Sequence, residues 1–258
     1  MAEFDNQGYA QSDVGSRTSY DAGLRAYMFS VYNYMAVGIA LTGVIAYAFF
    51  SMATTQDPSL AVASLGNGTM LTELGRMIYI SPLKWVLMFA PLGMVLLFAA
   101  TAHKMSPATA QLVFWGFAAL MGLSLSSIFI RYTGQSISRV FFVTAASFGA
   151  LSLYGYTTKK NLSGWGTFLF MGLIGVIIAS VVNIWLQSSA LQFAVSTIGV
   201  LVFAGLTAYD TQRIREIYQH VAHDANAVKS AAINGALSLY LDFINMFLMM
   251  LSLFGNSE

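Results

Sequence analysis

Two aspartates interrupt the most apolar parts of this chain: Asp210 closes the run Ala190–Asp210, and Asp242 lies inside the run Ala231–Phe254. An ionisable side chain in hydrocarbon costs several kcal/mol unless it is paired or hydrated, so each marks a candidate site. Asp242 is the deeper, eleven residues past Ala231, or about 16 Å along a helix. Asn234, Ser238, Asp242 and Asn245 follow at spacings of four, four and three, which places them on one helix face. Such a stripe on a greasy helix turns to protein or to a wet cavity rather than to lipid. Ser196, Gly199, Thr207 and Asp210 repeat the pattern more faintly, and the run before theirs contributes Gly175 and Asn183.

If antiparallel neighbours bring Asp210 and Asp242 together, two carboxylates in low dielectric cannot both ionise cheaply, and they share a proton. Protonated, the pair ties two helices together; doubly charged, it pushes them apart or recruits a cation. Calcium suits the charged state, because it takes six to eight oxygens and Ser238, Asn245 or backbone carbonyls can add to the carboxylates. The plainer alternative is two aspartates capped independently at helix ends. A further constellation, Glu216, His220, His223 and Asp224, sets metal-ligand residue types on one helical face. On a charged extension outside the bilayer, that pattern is more simply a wet surface.

The elements that must carry these residues follow from composition. Of 258 residues 57% are hydrophobic, about 147, and only 9% are charged, against roughly 25% in a soluble domain. About seven segments of 20–21 residues, each able to cross a hydrocarbon core, use the same total. Long apolar runs fall at Tyr27–Phe50, Leu83–Ala102, Ala108–Ile130, Ile137–Thr157, Gly164–Leu186, Ala190–Asp210 and Ala231–Phe254. Runs this continuous satisfy their backbone in lipid only as helices. The fold class is therefore all-α, a polytopic membrane protein with seven transmembrane helices. The polar residues of the last run also allow a half-buried or re-entrant placement. Residues 1–26 read as a polar cytoplasmic tail and 27–255 as the membrane domain. Eight lysines and arginines fall on the N-terminal side of the bilayer against four on the other, which predicts the N-terminus in the cytoplasm and the C-terminus outside. The link Ser51–Pro82 reads as an external loop, and Thr211–Ser230 as a helical extension of the sixth span.

Several classes are excluded. A net charge of +1 offers no basic surface for nucleic acid, and the absence of cysteine removes thiolate chemistry. Tyr209-Asp210 matches the Tyr-Asp of intramembrane aspartyl proteases. The second aspartate follows Leu239-Tyr240-Leu241, however, where those enzymes need glycines for the substrate backbone to approach. No enzymatic activity is expected. Trp85, Trp165 and Trp185 read as interfacial anchors, Trp115 as packing.

The segment GALSLYLDFINMFLMMLSLFG at Gly235–Gly255 resembles the C-terminal signature of the Bax inhibitor-1-like family (transmembrane Bax inhibitor motif proteins). GLTAYDTQRI at Gly205–Ile214, SLYGYTTKKNLSG at Ser152–Gly164 and YNYMAVGIALTG at Tyr32–Gly43 resemble its bacterial branch, and the likeness runs from about residue 24 to 255. The resemblance implies a central last helix wrapped by the other six. It also implies a pH-sensitive calcium leak of the bacterial inner membrane, gated by a hydrogen-bonded aspartate pair that maps onto Asp210 and Asp242. Calcium is then the permeant or bound ion, no other cofactor is implied, and the lipid bilayer is the other partner. One departure stands out. The leak relative has arginine at the end of its second span, whereas this chain reads Ala102-His103-Lys104, leaving Lys104 or His103 as a looser basic partner. Other relatives bind and modulate a membrane-anchored AAA protease, so a non-transporting regulator is the alternative expectation.

Overall fold

The computed structural model describes residues 2–66, 68–101 and 104–256, with side chains from Tyr20 onward. In chain order the helices are α1 (Ala2–Ala53), α2 (Glu73–Gly75), α3 (Leu83–Thr101), α4 (Pro107–Leu125), α5 (Ile128–Arg131), α6 (Gly134–Thr157), α7 (Ser163–Leu186), α8 (Ser189–Val221) and α9 (Ala225–Phe254). Among the described residues, seven spans are long and apolar enough to cross a bilayer: the Tyr20–Ala53 part of α1, α3, α4 with α5, α6, α7, α8 and α9. The chain is an all-α polytopic membrane protein.

Local chemistry sets the helix ends. Ser106, Thr133 and Ser188 each accept a backbone N–H at the start of α4, α6 and α8, with Pro107 opening α4. α7 stops at Gln187, whose φ of 49° is left-handed, and the Asn183 side chain accepts the Ser188 N–H across the turn. Pro91 sits inside α3 and brings no N–H for the Leu87 carbonyl. Ser124 of α4 donates to that carbonyl instead, at 2.7 Å. A backbone acceptor freed within the membrane is thus satisfied by a neighbouring helix.

α9 is the axis. It packs on α8, α1, α6 and α4, and 56% of its apolar window is buried against 11% for α3 and for α7. The re-entrant placement is excluded by one uninterrupted helix of 30 residues. The six other spans do not share the wrapping equally, because α3 packs chiefly on α4 and α7 on α8. Close approach rests on small residues. A Cβ on Gly155 of α6 would stand 2.2 Å from the Ala208 carbonyl oxygen of α8.

Three boundaries differ from the sequence expectation. α1 is continuous through residue 26, and Tyr20 and Leu24 already pack on the core, so no break separates a tail from the first span. The expected extension after Asp210 is two elements. α8 continues to Val221, a tight turn follows, and Asp224 caps α9 by accepting the Asn226 N–H. The link Ser51–Pro82 folds into a small antiparallel sheet, β1 (Thr54–Thr55), β2 (Ala63–Ser64) and β3 (Met70–Leu71) in the order β1-β3-β2, followed by α2 and a π-helical turn at Arg76–Ile80.

Candidate functional site: an acidic cavity beside the central helix

Two glycine contacts fix the register of α8 against α9. Ile214 packs where a Cβ on Gly235 would lie, and Met249 packs where a Cβ on Gly199 would lie. Along these antiparallel helices Asp210 is therefore level with Ser238, and Asp242 stands about one helical turn, roughly 5 Å, deeper. Together with Arg213, Ser238 and Asn245, both aspartates line one cavity of about 1040 Å³ that α3, α4, α7, α8 and α9 border and that opens to the bundle surface past Leu92 and Phe170. A smaller hollow of about 190 Å³ shares Asp210, Arg213 and Ser238 and adds Asn234. The stripe Asn234–Ser238–Asp242–Asn245 thus lines a continuous polar edge in otherwise apolar walls.

Asp242 is 5% exposed, and no donor reaches its Oδ2. Among the described residues, the charged group that acts on it is Asp210. Arg213 acts in turn on Asp210. Both carboxylates face one space, and no donor ties down the Oδ2 of the deeper one. Asn245 spends its Nδ2 on the Leu241 carbonyl at 2.8 Å. That leaves its side-chain oxygen, with the Ser238 hydroxyl, to supplement two carboxylates around a cation; water must supply the remainder of calcium's oxygen shell.

The back of α8 is held by bonds that leave this face free. Thr211 shares a hydrogen bond with Ser152, which shares another with Tyr32, at 2.9 and 2.7 Å. Gln212, buried, accepts the Leu162 N–H and donates to the Lys160 carbonyl, and Arg215 donates to the Tyr156 carbonyl. Residues 211–215 therefore anchor Asp210 to α1, α6 and the α6–α7 link. The sequence reading did not single out Gln212 or Arg213. The spacing of three between Asp210 and Arg213, one helical step apart on a face, was the available signal for the latter.

Not every expected residue joins the site. Thr207 is buried and donates to the Phe203 carbonyl, outside the cavity. Asn183 serves the α7–α8 turn, bonding Gln192 and the Ser188 N–H. Lys104 is exposed and lines neither hollow; His103 lies outside the described residues. Glu216, His220, His223 and Asp224 do not share a face, because α8 ends at Val221, and the described residues hold no cluster of three potential metal ligands. Trp85, Trp165 and Trp185 are exposed at span ends, while Trp115 packs at a tilt against Phe114 and Tyr34.

A central helix carrying a buried carboxylate, faced by a second across a cavity within a seven-span bundle, defines a polytopic membrane protein with an acidic intramembrane site. The chain belongs to the family described as Inhibitor of apoptosis-promoting Bax1, which it matches over residues 24–258. It is 45% identical to a protein of Caulobacter vibrioides over 98% of each chain. It is also 45% identical to the inner membrane protein YbhL of Escherichia coli, over 91% of this chain and 93% of that one. A Rickettsia prowazekii protein is 44% identical over 92% of each.

Proposed function

We propose that this protein is a pH-sensitive calcium leak of a bacterial inner membrane, with Asp210 and Asp242 as both proton sensor and cation site. The observation that supports it most directly is a buried Asp242 oxygen without a donor, in a cavity that Asp210 also lines. While the two carboxylates share one proton the pair carries a single negative charge; as pH rises that proton leaves and the pair becomes doubly anionic. Cation flux is therefore expected to increase with pH. The inner-membrane setting rests on likeness to YbhL, and the N-terminus-in orientation on the distribution of lysine and arginine. We assign the pair to gating rather than catalysis because Leu239-Tyr240-Leu241 precedes Asp242 in place of the glycines that an intramembrane aspartyl protease needs there.

Calcium uptake into proteoliposomes across pH tests this. The native chain should pass calcium with a pH-dependent rate, and Asp242→Asn should flatten that dependence. The alternative reading, a regulator of a membrane-anchored AAA protease, draws on the projection of α1 beyond the bilayer: Tyr20–Ala53 alone is 34 residues, about 51 Å against a core of roughly 30 Å. A protein that passes no calcium at any pH and co-purifies stoichiometrically with such a protease would favour it.

A further inference from the structure

A second large space lies on the other side of α9. α1 and α6 border a groove of about 790 Å³ whose floor includes Phe243 of α9. This is within the range, roughly 300–1,000 Å³, that holds a ligand of lipid-chain or drug size. Its walls are aliphatic and aromatic, from Phe29, Met35 and Ile39 on α1 and from Phe148 and Leu153 on α6. Phe29 and Leu153 are 73% and 62% exposed, so the groove opens to the outside of the bundle. On α1 it runs from Arg25 to Gly43, about 27 Å, or nearly the thickness of a hydrocarbon core.

Charge distinguishes the two ends. Arg25 is the one charged residue lining the groove and stands at its mouth. It is exposed, and among the described residues no hydrogen bond or ion pair engages it. Arg215 reinforces the same end by donating to the carbonyl of Tyr156, itself a lining residue. Asp21 is one turn of α1 away and is exposed. No charged side chain lines the opposite end. Arginine at the polar end of an apolar intramembrane groove is the chemistry that takes an anionic headgroup with its acyl chain buried behind it.

We propose that the α1–α6 groove binds an anionic phospholipid from the leaflet at the Arg25 end, with the phosphate on Arg25 and one acyl chain along Met35, Ile39 and Phe148. This site is separate from the acidic cavity and does not depend on the calcium reading.

The test is native mass spectrometry of the full chain released from nanodiscs of equal phosphatidylglycerol and phosphatidylcholine. The native protein should retain phosphatidylglycerol about fivefold over phosphatidylcholine, the preference that one arginine near the surface contributes. Arg25→Gln should bring the ratio toward one while total retained lipid stays. Gly149→Phe, which fills the groove at a position where an added Cβ meets nothing, should reduce retention of both lipids; a melting temperature within a degree or two of native confirms that it folds. Equal retention of the two lipids by the native chain overturns the proposal. So does an unchanged ratio in Arg25→Gln, undiminished retention in folded Gly149→Phe, or a dimer that Gly149→Phe dissociates, which would make the groove's occupant a second copy.

Discussion

Tyr240 and Asp242 sit two residues apart on the same buried helix, and their polar atoms meet opposite fates. The Tyr240 hydroxyl donates to Thr42, which donates in turn to the Ala118 carbonyl, at 2.7 and 2.8 Å; Phe114 and Phe117 pack edge-on against its ring. That face joins α1, α4 and α9 into a dry, satisfied core. The Asp242 carboxylate on the cavity side has an oxygen with no donor. Polar groups that hold a membrane fold together come with partners, because the alternative is several kcal/mol of lost solvation. Among the described residues two buried side-chain atoms lack such a partner, the Tyr27 hydroxyl and Asp242 Oδ2; the latter lies on the acidic cavity, where the proposed proton or cation would meet it.

Gly155→Val should be the most damaging change, because its Cβ must push Ala208 of α8 away. Destabilisation of about 3 kcal/mol or more should appear as loss of folded protein in size-exclusion and thermal-melt assays. Thr42→Val comes next. It strands the Tyr240 hydroxyl and removes a donor to Ala118, at about 1–3 kcal/mol, visible in melting temperature with the pH profile of flux unaltered. Asp242→Asn should lower stability less than Thr42→Val, since no donor reaches its Oδ2, while changing flux. A melt lowered as far as that of Thr42→Val would show that Asp242 is a structural group after all. The smallest effect belongs to the loop outside the membrane. Asp57 accepts from the Ser59 hydroxyl and N–H, and Glu73 from Arg76, which hold both carboxyls below their ordinary range. A depressed folded value gives order that is present above the unfolded value, near pH 4, and lost as pH falls through the folded one. Amide exchange at residues 57–76 should therefore quicken slightly below about pH 4, and Glu73→Gln should remove its share.

Much of this was legible in the sequence. Hydrophobic runs of bilayer length announce spans directly, and the stripe at Asn234, Ser238, Asp242 and Asn245 announced which face of α9 lines the cavity. The expected direct arginine substitute was not there to be read. Arg213 lies beside Asp210 on α8 itself, while Lys104 is exposed. Other features depend on partners distant in sequence. Ser124 covers the carbonyl exposed by Pro91, and Gln212 ties down Lys160 and Leu162; neither pairing has a local pattern. The continuity of α1 through residue 26 escaped for the opposite reason, since its polar first half carries no apolar periodicity to signal a helix. The six residues GALSLY show how far context governs. On α6 a Cβ on Gly149 meets nothing, whereas on α9 Gly235 lies against Ile214.

The central claim is that Asp210 and Asp242 act as one proton-sharing unit. The direct test is the pH profile of calcium flux for Asp210→Asn, Asp242→Asn and the double variant, each in proteoliposomes. A shared proton predicts that either single change abolishes the same pH step and that the double change removes nothing further. Independent, additive effects of the two substitutions, or a pH step that survives both, would contradict it.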